Sequence, residues 1–570
     1  MKKFIYLITV FVGCQLMSSC KDYLDRLPLD TPTTASFLNN EAEMDAALAA
    51  VYRSIHWDRG LTPFQQFFDL WSDIGQFRDP GIATGVFDTY NTDLQNLWTD
   101  AYITIQRSNT LISGMEQGRD NVSPEVYSRI EAEARIIRAW AYYHLTFMFG
   151  AVPLVTLPLN PDEYKMGSTP QEEIVDFLLA ELDAVAPAVV WNPVNRGRIG
   201  KGVALGLKAR IALHAGRYEI AATAAGEVIN SGAFGLNPQF ADLFKRSGQL
   251  KNNGGEIMFE FFRSDNSPRE IRNYVPLGQA SRNLGGQSGK FPTQRLVDMF
   301  ECLDGKRIDE SAIYDPTNPS KNRDERLRWT VAMHGDEITH YGAGNLPRTC
   351  IFNIYDNTTS FYNHTTGVWS QATNQDKSNP FGPVSSGVGY LWSKYTFNDE
   401  NLTDARVSWI YMRYAEILLT YAEAKIELNQ IDASVTGALN MLRQRGNLPV
   451  ITPETQASQQ EMRQLVRRER TVELALEGFR WFDIRRWKIA ELVMPGKIIG
   501  ASKAKDIPAS IPNFKISSIT DLNDIPDYSA SIDQRITRDT RYFAPNQYLM
   551  PIPQRERDLN PNLGQNPGWD

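Results

Sequence analysis

The sequence predicts a mainly α-helical fold built from tetratricopeptide-like helical hairpins, with long loops and few short strands. Apolar residues recur at three- and four-residue steps in several blocks, which is the pattern of amphipathic helices. At two places in the chain, two such blocks are joined by a short turn, which indicates an antiparallel helical hairpin at each place. The segments between the blocks are rich in Gly, Asn, Ser, Thr and Pro and have weak periodicity, which favours loops.

The first long helical pattern covers residues 131–150. Ile136, Trp140, Tyr143 and Phe147 fall on one face of a helix at these spacings. The helix is predicted to stop at Gly150, because Gly followed shortly by Pro153 is a common helix ending.

Two helical hairpins follow. Residues 201–216 and the helix that begins near Ala221 are separated by a short turn and carry small residues that let two helices approach closely. Residues 411–430 and 433–445 repeat this arrangement. We therefore expect hairpins of tetratricopeptide type at both places.

A long helical stretch is predicted over residues 461–491, with an apolar stripe through Val472, Leu476 and Phe479. Its charged residues are three or four apart, so they are predicted to pair with one another as structural scaffolding. These residues are Glu473, Glu477, Arg480, Asp483 and Arg486. Four tryptophans of the helical blocks are assigned to the core: Trp98, Trp140, Trp481 and Trp487.

Residues 60–95, 245–295 and 310–400 are predicted to be long loops, with a short strand at residues 256–260. The tail, residues 495–570, is expected to be irregular. Long loops in a compact domain are usually functional or disordered, and the aromatic content of these loops argues against disorder.

The N-terminus predicts export and lipidation. Residues 1–19 have a basic start and a short apolar stretch, which is a secretory signal too short to span a bilayer. Ser18 and Ser19 stand before Cys20 as in a lipobox, so Cys20 is the predicted lipidation site. The chain is then divided into the signal peptide, residues 20–240 and residues 241–570, with the last two packed as one unit. Cys302 and Cys350 are either a pair or two free thiols.

Composition and motifs exclude several functions. The formal net charge of −8 argues against nucleic-acid binding. No GxSxG occurs, and the six histidines show no HExxH, so neither a hydrolase elbow nor a metal site is predicted. The stretch from Gly285 to Lys290 lacks the first Gly and the final Ser or Thr of a phosphate loop. No cofactor is expected. Paired carboxylates stay open, because sequence spacing does not reveal a glycosidase geometry among 67 acidic residues.

Several blocks together resemble the SusD/RagB family of starch-utilisation-type binding lipoproteins. They occur in the order of that family and cover essentially the whole chain after the signal. The blocks are EARIIRAWAYY at 133–143, FGAVPL at 149–154, residues 201–216, RYAEILL at 413–419, RER at 468–470 through EGFRWFD at 477–483, YLMPIP at 548–553 and NPNLGQNPG at 560–568.

This resemblance implies a lipid-anchored protein of the outer membrane. The charged residues 21–25 after Cys20 resemble the lipoprotein export signals of the Bacteroidetes group, which implies that the protein faces the cell exterior. The family resemblance also implies a non-catalytic role: capturing oligosaccharides and delivering them to a SusC-like TonB-dependent transporter. Three alternatives remain: capture of peptides in the same role, a tetratricopeptide adaptor that binds only protein, and a glycoside hydrolase.

The candidate ligand-binding residues lie in the aromatic loops. Aromatic rings stack on the apolar faces of sugars, while amides, carboxylates and Arg collect the hydroxyl groups. The candidates are Phe77, Phe87, Tyr90, Asn91, Arg272, Tyr274, Trp329, Tyr341, Tyr362 and Trp369.

Overall fold

The structure is a computed structural model of the 570-residue chain. It describes residues 37–60, 62–160, 163–264, 273–396, 399–505 and 525–569. The predicted signal peptide, Cys20 and Arg272 lie outside these ranges. The mainly helical fold with few short strands is confirmed.

The helices are numbered in chain order. They are α1 Glu41–Ser54, α2 Phe64–Leu70, α3 Thr92–Gly114, α4 Pro124–Phe149, α5 Gln171–Val185, α6 Lys201–His214, α7 Tyr218–Asn230, α8 Arg246–Lys251, α9 Val275–Gln279, α10 Gln294–Met299, α11 Arg326–Thr330, α12 Gln375–Ser378, α13 Tyr414–Glu427, α14 Ala433–Arg445, α15 Pro453–Gln456, α16 Gln459–Leu474, α17 Arg480–Arg486, α18 Ala490–Val493 and α19 Gln554–Leu559.

The strands are short. They are β1 Gly75–Phe77, β2 Ile257–Phe261, β3 Lys290–Pro292, β4 Val331–Ala332, β5 Glu337–Tyr341, β6 Pro347–Ile351, β7 Thr358–Asn363, β8 Val368–Thr373, β9 Leu391–Trp392, β10 Trp409–Arg413, β11 Gly496–Ser502 and β12 Arg535–Arg541.

Helix α4 confirms the first predicted helix and extends it toward the N-terminus. Ser123 caps it by accepting a hydrogen bond from the N–H of Val126, and Pro124 occupies its first turn. Gly150 ends it with φ of 74°. Because most of its side chains are buried, α4 lies within the core rather than on its surface.

The predicted hairpin of α6 and α7 is confirmed, and glycines explain how closely it packs. A Cβ on Gly206 would lie 2.5 Å from Sδ of Met412, and one on Gly202 would lie 2.4 Å from the Phe234 ring. Both contacts are closer than a Cβ normally approaches, so a larger residue at either position would force the Met412 or Phe234 side chain to move. The Arg210 side chain of α6 is then buried against Glu416, with an N–O distance of 2.6 Å.

The second hairpin is confirmed for α13 and α14, but its predicted start at Tyr411 is wrong. Residues 409–413 form strand β10, which pairs antiparallel with β2. The helix begins at Tyr414, and Asp432 caps its partner α14 through the N–H of Ser434. Strand pairing with a distant segment therefore overrides the helical periodicity at this place.

The single long helix predicted over residues 461–491 is also wrong. Helix α16 ends at Leu474 and α17 begins at Arg480, and between them Leu476 and Gly478 have positive φ values of 67° and 91°. In this turn Glu477 is buried and contacts Arg413 at 2.7 Å and Lys394 at 2.8 Å. Because of this turn and its buried ion pairs, the helix does not continue beyond Leu474.

The charged residues of this stretch are scaffolding, as predicted, but their partners differ from those expected. Asp483 and Arg486 form the predicted pair three residues apart. Glu473 instead binds Arg326, Arg413 and Arg445, which come from other parts of the chain. Arg480 pairs with Asp73 at 2.8 Å. A buried network of charges therefore joins sequence-distant segments.

The loop regions and the tail contain more order than predicted. Strands β5 to β8 form an antiparallel four-stranded sheet within the predicted loop of residues 310–400. In the tail, β11 pairs antiparallel with β12, so the prediction of an irregular tail is wrong there. The short strand predicted at residues 256–260 is confirmed as β2.

One apolar core extends from Leu38 to Leu563 and includes Trp98, Trp140 and Trp481. Trp487 is buried in a smaller apolar cluster, so all four tryptophans assigned to the core are buried. Cys302 and Cys350 are both buried and free. Among the described residues, no helix combines the length and apolar character needed to cross a membrane.

Candidate functional site

The segment from Phe77 to Asn91 connects β1 to α3. Phe77 is half-buried, with its ring edge-on to Phe67 at 5.3 Å between centroids. The guanidinium carbon of Arg59 lies 5.2 Å from the Phe77 ring, and Arg59 is held by Asp93 at 2.7 Å. These contacts fix Phe77 at the base of the segment.

Tyr90 is the exposed aromatic residue of this segment, with 72% of its surface open. The backbone beneath it is fixed, because Asp88 accepts a hydrogen bond from the N–H of Tyr90 at 2.9 Å. Asn91 caps α3 by accepting from the N–H groups of Asp93 and Leu94. Phe87 packs on Trp569 at 5.0 Å. A rigid loop therefore presents one tyrosine ring to solvent.

Tyr542 lies beside this loop and was not among the predicted residues. Its N–H donates to the carbonyl of Thr84 at 2.9 Å, and 58% of its surface is exposed. A Cβ on Gly85 would lie 2.0 Å from the carbonyl oxygen of Tyr542, so only glycine allows this approach. Because the tail was expected to be irregular, no sequence pattern indicated that Tyr542 lies here.

Phe381 is a second residue that sequence reasoning missed. The residue is 54% exposed, and two guanidinium groups lie near its ring centre, Arg78 at 5.0 Å and Arg282 at 5.9 Å. Burial and the nearby charge of Arg78 both lower the pKa of Arg282. Arg282 follows Ser281 in a turn that is held by hydrogen bonds to Asp376. Burial raises the pKa of Asp376 to about 6, although these hydrogen bonds oppose the shift.

Tyr362 and Trp369, two of the predicted ligand-binding residues, lie next to each other in the structure. They are directly opposite each other on β7 and β8, with ring centroids 5.2 Å apart. Trp369 is 41% exposed, and every residue of β8 is exposed. His364 contacts the Tyr362 ring edge-on at 4.9 Å. The hairpin therefore carries a small aromatic surface of its own.

The remaining predicted aromatics are half-buried and lie at separate places. Tyr274 packs on the cluster of Leu277 and Leu402, and the carbonyl of Tyr341 accepts from the N–H of Leu402 at 3.0 Å. Trp329 lies between the amino group of Lys245 at 5.1 Å and the guanidinium of Arg328 at 4.7 Å. Their roles in ligand binding stay predictions.

Lys290 shows why the glycine-rich stretch from Gly285 is not a phosphate loop. It belongs to strand β3 instead of a helix, and its amino group donates to Gln66 at 2.7 Å and Thr62 at 3.0 Å. Burial and the charge of Arg59 lower its pKa to about 7.

These surfaces fit binding by stacking and hydrogen bonding. Exposed rings on fixed loops offer flat apolar faces, and Arg78 and Arg282 supply donors beside one of them. No cluster of three or more His, Cys, Asp or Glu that could hold a metal ion is found in the part of the chain that the structure describes.

The fold and these surfaces define a class: a helical-hairpin scaffold that carries its candidate ligand surfaces on loops. A model of the SusD family matches residues 252–569, and a model described as starch-binding associating with the outer membrane matches residues 22–186. The chain belongs to the SusD family.

Relatives match over nearly the whole length. SusD-like protein P2 of Formosa agariphila is 24% identical over 594 residues, which cover 100% of both chains. SusD-like protein P25 of the same species is 25% identical and covers 83% of this chain and 87% of its own.

Two solved structures have the same fold. A SusD-like carbohydrate binding protein of Bacteroides fragilis is 25% identical with a TM-score of 0.74, covering 93% of this chain and 100% of its own. A laminarin binding SusD-like protein is 19% identical with a TM-score of 0.62, covering 93% and 100%.

Proposed function

We propose that this protein is a lipid-anchored, non-catalytic receptor of the outer membrane that binds oligosaccharides and passes them to a SusC-like TonB-dependent transporter. Cys20 carries the lipid, and the protein faces the cell exterior. Membership of the SusD family supports this role, as do the carbohydrate-binding and laminarin-binding relatives that share the fold.

The observation that carries the proposal is the exposure of Tyr90 on a rigid loop of this fold. Loop aromatics are usually buried by their own loop, because exposing an apolar ring to water is unfavourable. Here Asp88 and Asn91 hold the loop, and the Tyr90 ring stays open to solvent. Such a ring is ready to stack on a sugar face at little further cost in loop ordering.

Phe381 and Trp369 are two further contact points for a glycan. A chain of several sugar rings is long and needs more than one stacking residue. The guanidinium groups of Arg78 and Arg282 beside Phe381 supply hydrogen-bond donors to sugar hydroxyls.

The test is calorimetric titration of the chain without its signal peptide and with Cys20 replaced. The panel holds α- and β-linked glucan oligosaccharides, other neutral oligosaccharides and short peptides. We expect saturable binding of one glycan class, with unchanged oligosaccharide recovered afterwards by chromatography. If only peptides bind, the ligand is a peptide and not an oligosaccharide. Release of shorter sugars would overturn the non-catalytic role.

Delivery to a transporter needs a separate test. The full-length chain is co-expressed with a SusC-like TonB-dependent transporter of the same organism and purified through a tag on that transporter. We expect the two to copurify, and the Cys20→Ala variant to lose its membrane fraction. A chain that never copurifies with the transporter would restrict the function to glycan capture.

A further inference from the structure

A surface cleft of about 540 Å³ lies between α5, the end of α6, α17 and the segment around Tyr548. Its volume is within the range of small-molecule sites. It is lined by Phe147 and Phe482, which are apolar, and by basic and polar side chains discussed below. None of the predicted ligand-binding aromatics lines this cleft.

Arg485 is a buried cation in the wall of this cleft. Its residue surface is 7% exposed, and its guanidinium carbon lies 3.2 Å from the centre of the Trp481 ring and 5.5 Å from that of Phe543. It donates to the carbonyl of Trp481 at 3.2 Å, whereas its Nε has no hydrogen-bond partner among the described residues. No carboxylate of the described chain forms an ion pair with it. Burying such a cation without a counter-charge is costly.

Two more buried polar groups line the cleft. Nε2 of His214 makes no hydrogen bond within the described residues. The Tyr548 hydroxyl is also buried, with the backbone N–H of Glu491 near its oxygen and no acceptor for its own proton within the described residues. The Tyr143 hydroxyl lies 3.1 Å from Nδ1 of His214. When that hydroxyl donates to Nδ1, the proton of the neutral ring resides on Nε2. Arg485, Tyr548 and His214 then each keep an N–H or O–H that is available to donate to a ligand in the cleft.

The charged side chains that line the cleft are mostly positive. Glu172 is a negative one, and the carboxylate of Glu491 acts on the Tyr548 hydroxyl. The amino group of Lys488 lies 4.5 Å from the centre of the Tyr548 ring. Arg217 is held by Asp176 and lies 3.6 Å from Glu172, and Arg486 is neutralised by Glu423 and Asp483. Arg485 and Lys488 therefore remain as cations that lack a carboxylate partner in the described chain.

We propose that this cleft binds a small organic oxyanion, a carboxylate or a sulfate group carried on a sugar. Its oxygens accept hydrogen bonds from Arg485, Tyr548 and His214, and Lys488 adds charge attraction. The aromatic walls accommodate the sugar ring. The proposal is independent of glycan capture at the aromatic loops, because it depends on a different set of residues.

The test is calorimetric titration of the chain without its signal peptide with glucuronate and with glucose 6-sulfate, using glucose as the neutral control. We expect saturable binding of at least one acid, and none of glucose at the same concentration. Preference between the two acids identifies the oxyanion. Equal binding of glucose, or no binding of either acid, would overturn the proposal.

Variants locate the site. Tyr548→Phe removes only the hydroxyl, and we expect it to weaken binding about tenfold to a hundredfold, the usual effect of one hydrogen bond to a charged ligand. Lys488→Gln, an exposed position, should weaken it by a smaller factor and reduce its salt dependence. Lys497→Gln, at the exposed start of β11, is the matched control and should bind as wild type. Unchanged affinity in both cleft variants would place the anion elsewhere.

Discussion

The carboxylate of Asp69 accepts hydrogen bonds from the backbone N–H of Gly478 at 2.9 Å and from that of Arg480 at 2.8 Å. Residues about 400 positions apart are joined by this contact. It holds the turn that separates α16 from α17, and it places the start of α17 against α2. Burial also makes the carboxyl group of Asp69 a weaker acid than an ordinary Asp.

The first prediction concerns pH. Burial raises the pKa of Asp69 to about 7, and the two N–H donors oppose that shift. In the unfolded chain an Asp has a pKa near 3.9, so between about pH 4 and 7 only the folded state keeps the proton. The free energy of unfolding should therefore fall as the pH rises through this window.

Urea unfolding of the wild type and Asp69→Asn from pH 4.5 to 7.5 measures this effect. Relative to the variant, which has no proton to release, the wild type should lose up to about 1.4 kcal/mol per pH unit. Two curves that run parallel over the whole range would show that Asp69 does not titrate there.

The second prediction concerns the buried charges. Glu473 is fully buried, and its pKa is held far below its usual range, because Arg445, Arg413 and Arg326 outweigh the effect of burial. Glu473→Gln leaves these guanidinium groups short of a counter-charge, so we expect a loss of about 3–5 kcal/mol in the free energy of unfolding. Glu454→Gln, an exposed acid on α15, is the control and should change stability by less than about 0.5 kcal/mol.

The third prediction concerns Gly85. Gly85→Ala introduces a Cβ that collides with the carbonyl of Tyr542, and it also strains a φ of 73°. Gly60→Ala has a similar φ of 61° and nothing within 4 Å, so it isolates the backbone strain. We expect about 1 kcal/mol of destabilisation for Gly60→Ala and at least about 2 kcal/mol for Gly85→Ala, measured by urea unfolding. Equal losses would mean that the loop moves freely away from Tyr542.

The fourth prediction concerns glycan stacking. Tyr90→Ala removes an exposed ring without disturbing the loop, so we expect the affinity for the bound glycan to fall about tenfold, with thermal stability unchanged. Tyr164→Ala is the control, since Tyr164 is also exposed but lies outside the segment of Phe77 to Asn91. Titration calorimetry compares the two. A Tyr90→Ala variant that binds as wild type would remove this loop from the ligand site.

The fifth prediction concerns thiols. Cys302 and Cys350 are free and buried, and burial raises the pKa of both. With Cys20 replaced and the signal absent, the native protein should resist alkylation, and the unfolded protein should show two reactive thiols by mass spectrometry. Unfolded protein that reacts only after reduction would reveal a disulfide.

Much of the helical fold was predictable, because the apolar faces of α4, α6 and α13 repeat at helical spacing within their own segments. The exceptions arise from distant partners. Residues 409–413 have helical periodicity but pair with β2, and the turn at Gly478 depends on Asp69. A single sequence contains no signal for contacts of this kind.

The candidate site was predictable only in part. Loop composition pointed to the segment of Tyr90 and to the hairpin of Tyr362 and Trp369, and the structure exposes aromatic surface at both places. Ligand contact at these residues stays a prediction. Phe381 and Tyr542 were missed, because their exposure depends on the turn of Arg282 and on the strand that ends at Arg541. The sequence likewise did not indicate that the Asn91 side chain accepts hydrogen bonds from the N–H groups at the start of α3.

The convergence of three arginines on Glu473 also has a kinetic meaning. Arg445, Arg413 and Arg326 lie 28, 60 and 147 residues before Glu473 in the chain. Because these contacts join segments that are distant in the chain, forming them costs more loop-closure entropy than forming a helix. We therefore expect the local helices to form early in folding and the buried charge network to close late.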